Sequence, residues 1–404
     1  MKHIIILGDG MADLPIAKLG GKTPLMVANT PAIDELARIG RNGLLATVPL
    51  DMPAGSEIAN MGVMGYDVRK VYDGRGVLEA ASMGVEILEG DLGLRCNLIC
   101  LEKGNIKNHS AGHISTPEAD ELIKFLNEKL GTESIKFYTG VSYRHLLVIK
   151  GGNKYLKCTP PHDVPDAPFK SVLVEPKEEA AKDTADLLND LILKSQVLLA
   201  NHPINQMRKA AVKDMANSIW PWSPGYKPLM PTLKEMYGVE KSAVISAVDL
   251  IQGIGVYAGM EVIKVEGVTG LYDTNYEGKA QAAIDAINDG VDLVYLHIEA
   301  SDEAGHEGDV ELKIRTIEYL DSRIVKPIVE ASKKMKEPLA IGILPDHPTP
   351  CELRTHTHDP IPFIIFRPGE TPDDVEKYDE ESAKAGSYGT LKENEFIKAL
   401  LGIH

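Results

Sequence analysis

Two short apolar runs, Leu293-Val-Tyr-Leu-His-Ile298 and Leu339-Ala-Ile-Gly-Ile-Leu344, each give way to a carboxylate with an imidazole close behind it: Asp302 with His306, and Asp346 with His347. Uncharged runs of that length are strands buried on both faces, the kind found in parallel sheets covered by helices. Parallel strands bring their carboxyl ends to one edge of the sheet, where open α/β folds place their ligands. Oxygen and nitrogen donors at two such ends therefore point to an α/β chain with metal-dependent chemistry along one rim.

The same rhythm opens the chain. Ile4 to Leu7 reads as a buried strand closed by Gly8-Asp9-Gly10, and Thr30-Pro31 then starts a helix over Ala32 to Ile39 with Gly40 as its stop. Toward the other end, Ala280 to Ile287 reads as helix, Val291 to Ile298 as strand, Val310 to Lys336 as one long helix, and Leu339 to Leu344 and Ile361 to Phe366 as strands. Strands separated by helices predict a mostly parallel sheet flanked by helices and joined by right-handed crossovers.

The 404 residues exceed one ordinary core. Two segments fence off the middle: the charged, turn-rich Tyr66 to Gly76, and Trp220 to Pro231, whose four prolines predict a stiff extended connector. Between them lie strand candidates at Leu92 to Leu101 and His145 to Ile149, a helix at Pro117 to Leu130, and a charged helix from about Lys177 to Lys194. The expected plan is a discontinuous catalytic domain, 1-70 with 231-404, carrying a smaller inserted α/β domain, 71-230, able to move on its connectors.

A formal net charge of -16 argues against partnership with nucleic acid or an anionic membrane surface. The apolar run at the start is too short for a secretory leader and no later run suits a membrane span, so a cytoplasmic location is expected. Cys96, Cys100, Cys158 and Cys351 form no CxxC pair, which disfavours a disulfide framework or a thiolate zinc site. A small-molecule partner remains, and the composition is compatible with a homo-oligomer.

Asp9 alone reads equally well as a turn residue. Beside Asp302, His306, Asp346, His347 and His356 it completes three carboxylates and three imidazoles. That donor set suits two divalent ions of borderline hardness, such as manganese, zinc or cobalt, with magnesium less favoured by the imidazoles. His358 reads as an outer donor or a surface residue. Ser56, in Pro53-Ala-Gly-Ser-Glu-Ile-Ala-Asn60, would ordinarily be a helix N-cap, but next to a metal cluster it becomes a nucleophile at an anion-friendly helix N-terminus. Cations for an anionic substrate are sought in the middle of the chain and its connectors: His113, Arg144, Arg208, Lys209, Arg69 and Arg75. Gly253-Ile-Gly-Val-Tyr-Ala258 matches a dinucleotide fingerprint, but no clear strand runs directly into it.

Together Asp9-Gly10, Gly-Ser56-Glu, Asp302-xxx-His306, Asp346-His347 and His356-Thr before Asp-Pro-Ile-Pro resemble the metalloenzymes of the alkaline phosphatase superfamily. Gly74 to Ala81, Leu94 to Leu98 and Ala216 to Trp220 extend the likeness to the archaeal-type cofactor-independent phosphoglycerate mutases. The resemblance implies an alkaline-phosphatase-like core and interconversion of 3-phosphoglycerate and 2-phosphoglycerate through a phosphoserine at Ser56, without 2,3-bisphosphoglycerate. It implies that Asp9, Ser56, Asp346 and His347 serve one ion, manganese being favoured, and that Asp302, His306 and His356 serve the other. Arginines of the inserted domain would hold the glycerate carboxylate. The alternative on the same scaffold is a metal-dependent phosphatase or another phosphomutase, such as a phosphopentomutase. Bacterial members carry Gly-Asn-Ser-Glu-Val-Gly-His where this chain has Ala-Gly-Ser56-Glu-Ile-Ala-Asn60, so their substrate contacts are not carried over.

Overall fold

The structure, a computed structural model, describes residues 1–403. The chain forms two compact units, Met1–Tyr72 with Leu229–His404, and Asp73–Pro228. Among the described residues no helix is long and apolar enough to cross a membrane.

The first unit is built on eight strands in the order Glu261–Val262, Ser242–Ile245, Leu293–Ile298, Lys2–Gly8, Leu339–Leu344, Ile361–Phe366, Arg41–Ala46 and Thr390–Lys392. All pairs are parallel except those of Ile361–Phe366, which runs antiparallel to both neighbours. The sheet is thus mostly parallel, as read from the sequence, with this one strand reversed. The segment joining Leu344 to Ile361 contains no helix, so the chain folds straight back beside the strand it has left. Ile4, Ile5, Ile6 and Leu7 are fully buried, and helices pack Leu36, Ala283, Ile317 and Ile328 onto the sheet. Each such leucine or isoleucine stabilises the unit by roughly 1.5–3 kcal/mol, so the central strands are its least movable part.

Two helical details differ from expectation. Val310 to Lys336 is not one α-helix: Val310–Tyr319 passes through a π-helical turn, Leu320–Val325, into Lys326–Ser332. Pro327 has no N–H for the α-helical ladder, and a widened turn before it absorbs the mismatch. In the helix Pro31–Ile39 the Thr30 side chain makes no cap bond. Asp321, from the widened turn, instead accepts the Ile33 N–H at 2.7 Å. The Gly253 to Ala258 segment lies within or just past the helix Asp249–Tyr257, which follows the strand Ser242–Ile245. A Cβ on Gly255 would sit 2.5 Å from a Val244 methyl, so this glycine serves close packing.

The second unit has an antiparallel sheet ordered Asn105–Asn108, Leu92–Glu102, Arg144–Ile149 and Ile135–Tyr138, with Ser218–Gly225 also pairing with Leu92–Glu102. Helices Thr116–Leu130 and Lys182–Ala200 contribute Leu122, Leu126, Leu188 and Ile192 to its core. The first half of the proline-rich connector expected at Trp220 to Pro231 is therefore a strand, with Trp220 and Trp222 buried. Pro221 and Pro224 are tolerated because this strand pairs on one side only, where a missing N–H costs nothing.

Candidate metal centre

Three adjacent strands of the first unit, Leu293–Ile298, Lys2–Gly8 and Leu339–Leu344, deliver Asp302 with His306, Asp9, and Asp346 with His347 to one edge. Asp9 directly follows its strand, whereas Asp302 and His306 occupy the first and last turns of the short helix Ala300–Glu307. Gly10 makes the approach possible. Its φ is +59°, and a Cβ there would meet Asp302 Oδ1 and Thr349 Oγ1 at 2.5 Å.

Asp346 is fully buried and held on both oxygens. Its Oδ1 accepts the N–H groups of Gly10 (3.1 Å) and His347 (2.9 Å), and its Oδ2 accepts Asn60 Nδ2 at 2.8 Å. The Asn60 amide is oriented in turn by the Tyr295 hydroxyl, which donates to its Oδ1 at 2.6 Å. Ser56 is not the N-cap that the bland reading predicts. Gly55 takes that place and Ser56 is the first residue of the helix Ser56–Val63, its Oγ facing His347 Nε2 at 3.2 Å.

The imidazoles share one pattern. His306 Nδ1 donates to the Arg354 carbonyl (3.1 Å) and His356 Nδ1 to the Ala54 carbonyl (2.7 Å). His347 Nδ1 donates to Thr349 Oγ1 (3.3 Å), whose own proton goes to Asp302. With Nδ1 committed, each ring offers Nε2 to the cluster. His306 and His356 Nε2 lie 3.3 and 3.4 Å from the Asp302 oxygens, and His347 Nε2 lies 3.4 Å from Asp346 and 3.7 Å from Asp9. His358 turns the other nitrogen away, placing Nε2 on the Met52 carbonyl at 2.8 Å.

The electrostatics favour a cation. Burial, then the charges of Asp346 and Asp302, push Asp9 well above the usual carboxylate range. Burial also works against Asp302, but hydrogen bonds from His306 and His356 hold it well below that range. Asp302 raises His306 to about 9, and burial lowers His347. No lysine or arginine among the described residues pairs with Asp9, Asp302 or Asp346, and Asp9 Oδ1 is buried without a hydrogen-bond partner. A divalent ion satisfies such a set of oxygens and imidazole nitrogens and displaces the protons they would share. Donor atoms of Asp302, His347 and His356 lie within 4.8 Å of one another, as do those of Asp9, His297 and Asp346. His297 escaped the sequence reading because it sits inside an apolar run.

The cationic candidates separate by environment. Arg208 is buried and spent on the fold, donating to the carbonyls of Asp214 (2.8 Å) and Ala111 (2.7 Å) and to Glu118 (2.8 Å). Arg69 pairs with Asp51 in the first unit, and Lys209 is exposed at the end of a helix. Arg144 stacks over Tyr143 at 5.1 Å, exposed His113 lies 6.3 Å from the same ring, and Arg75 lies 3.5 Å from Glu79. The structure adds three residues to them. Arg95 lies over Trp222 at 4.4 Å, His162 meets the edge of that ring, and His109 lies between His162 and Tyr143. Burial first, then the neighbouring cationic groups, lowers His109. Arg95, itself 3.1 Å from Glu79, and Arg144 are the charged members of this group of aromatic and imidazole rings in the second unit.

The model of the 2,3-bisphosphoglycerate-independent phosphoglycerate mutase family matches residues 37–205. A Methanosarcina barkeri protein of that name is 50% identical, covering 99% of each chain. One from Pyrococcus furiosus is 36% identical over 100% of this chain and 97% of its own. Among solved structures, a Pyrococcus horikoshii protein aligns with a TM-score of 0.83 at 30% identity, covering 99% of this chain and 97% of that one. The cofactor-independent phosphoglycerate mutase of Thermoplasma acidophilum aligns with a TM-score of 0.70 at 26% identity, covering 100% and 99%.

Proposed function

The chain belongs to the 2,3-bisphosphoglycerate-independent phosphoglycerate mutase family, and on that premise we propose that it interconverts 3-phosphoglycerate and 2-phosphoglycerate through a phosphoserine at Ser56. The reaction is a step of glycolysis and gluconeogenesis. One observation carries the reading: Ser56 Oγ sits at a helix N-terminus, 3.2 Å from an imidazole nitrogen that also faces two buried aspartates.

Two divalent ions fit the donors, one with Asp9, Ser56, Asp346 and His347, the other with Asp302, His306 and His356; the mixed oxygen and nitrogen set suits manganese, zinc or cobalt, and the family resemblance favours manganese. Bound there, they would neutralise phosphoryl charge and make the serine hydroxyl easier to ionise. The first N–H groups of the helix Ser56–Val63 favour negative charge at the same point. Ser56 Oγ bonds to phosphorus as the bond to the glycerate oxygen breaks, and the serine proton ends on that oxygen. The second half reverses these bonds at the neighbouring hydroxyl, so nothing is gained or lost overall. Throughout, the glycerate must stay oriented and water must stay out. We assign the glycerate carboxylate to Arg95, Arg144 and the imidazoles beside them, the role of a substrate-binding domain.

A coupled assay for 2-phosphoglycerate formed from 3-phosphoglycerate, without added bisphosphoglycerate, tests the reading. Turnover is expected as purified or after manganese is supplied, with loss on chelation. Free phosphate released faster than the isomer forms would overturn it in favour of a phosphatase.

A further inference from the structure

We infer that His297 is a further metal ligand, an inference that rests on the metal reading above and enlarges the donor set on the Asp9 side. His297 lies near the end of the strand Leu293–Ile298, paired in register with Leu7, and is fully buried. Its Nδ1 lies 3.2 Å from Glu299 Oε1 and 3.3 Å from Ser246 Oγ.

The identity of those neighbours fixes the tautomer. Glu299 forms a buried ion pair with Lys279 at 2.7 Å, both side chains being almost fully buried, and also accepts Ser246 Oγ and the Ala247 N–H at 2.9 Å. A carboxylate so paired has no proton to give. Ser246 spends its proton on Glu299 and accepts the Val248 N–H at 3.0 Å. The proton between His297 and Glu299 therefore belongs to Nδ1, and Nε2 presents a lone pair.

A second acceptor lies close to that nitrogen. Nε2 lies 3.3 Å from Asp9 Oδ2 without hydrogen-bond alignment, and it is buried with no hydrogen-bond partner. Asp9 thus has an imidazole nitrogen near each oxygen, His347 at Oδ1 and His297 at Oδ2. A cation shared by Asp9, Asp346 and His297 resolves the opposed lone pairs, and their donor atoms already lie within 4.8 Å of one another. Lys279, whose ammonium donates to the His297 carbonyl at 3.0 Å, fixes the strand end that carries the ring. An Nδ1 anchored on a carboxylate with Nε2 left bare is also the usual dress of a ligating histidine. His306, His347 and His356 carry the same arrangement with carbonyl and hydroxyl anchors. Lys279 and Glu299 act as positioning residues for the ring.

The test uses the full chain labelled with ¹⁵N-histidine and titrated with Zn(II) as a diamagnetic probe, the His297 signals being assigned with His297→Gln. On loading, the Nε2 resonances of His297, His306, His347 and His356 are expected to move to metal-bound positions, with His297 keeping its proton on Nδ1. An Nε2–H on His297 in the loaded protein, with the other three shifted, would overturn the inference and leave the metal reading intact. If none of the four moves, the metal reading itself falls. Glu299→Gln, whose amide can donate to Nδ1 and reverse the tautomer, is expected to weaken zinc binding about tenfold to a hundredfold. Unchanged affinity in that variant would overturn the role given to Glu299.

Discussion

The two units gather their polar side chains by different physical means. In the first, donors sit at the ends of three adjacent parallel strands whose interiors are fully buried, and Asp346, Asp302 and the three imidazoles are each held by a second bond to backbone or side chain. In the second, cations and imidazoles sit on aromatic rings brought together by an antiparallel sheet, and several of them remain exposed. The first arrangement gathers donor atoms within 4.8 Å of one another. The second places Arg95, itself paired with Glu79 at 3.1 Å, and Arg144 against aromatic rings, the arrangement to which we assign the substrate carboxylate.

The comparison breaks at its strongest point if Ser56→Ala keeps turnover. That variant should lose at least about a thousandfold in kcat while its zinc affinity falls far less, as measured by the coupled assay and by metal titration. Chelation should abolish the remaining contrast reversibly: activity is expected to vanish with a strong chelator and to return with manganese, followed in the same assay. In the second unit, Arg95→Ala or Arg144→Ala should cost about tenfold to a hundredfold in kcat/KM, the worth of one charge-assisted contact, with metal affinity unchanged. Equal losses of metal binding would show that the units do not divide the work in this way.

Arg208 sharpens the contrast from the side of stability. Arg208→Met deprives two carbonyls and Glu118 of a donor and should destabilise the second unit by about 3 kcal/mol, with little effect on KM below the unfolding transition. Both tryptophans, Trp220 and Trp222, lie in that unit, so fluorescence-detected unfolding reads it selectively.

The remaining effects concern pH, and they run in opposite directions. Burial pushes His145 of the second unit down to about 3. The unfolded chain takes up that proton first, near 6.5, so stability held above 6.5 is lost as pH falls toward 3. In the first unit burial pushes Glu380 up to about 7. Its stability is then greatest below about 4.5 and declines as pH rises through 7, because the unfolded carboxyl ionises first. Each effect is on the order of 3 kcal/mol at its limit. His145→Gln should flatten the acid limb in fluorescence-detected urea unfolding, and Glu380→Gln the neutral limb read by far-ultraviolet circular dichroism.

The two units also differed in how far the sequence disclosed them. Asp9, Asp302, Asp346 and His347 were visible because each follows a run that can only be a buried strand, and parallel strands must end on one edge. His297 was hidden by the same logic, since within an apolar strand it reads as a core residue. The aromatic and cationic face of the second unit was hidden by distance along the chain: Arg95, His162 and Trp222 meet only after strands far apart in sequence pair in antiparallel register. Arg208 was named among the cations for substrate, and its burial was hidden because exposure cannot be read from residue type.

The sequence by itself determined the α/β rhythm, the edge on which the donors lie and the identity of the serine facing them, because these follow from local runs and strand direction. The tertiary structure decided what depends on partners. It set the reversed strand at Ile361–Phe366 and the one-sided pairing that turned a proline-rich connector into a core strand. It also set which nitrogen of each histidine is left bare, because a tautomer is fixed only by the acceptor that folding places against the ring.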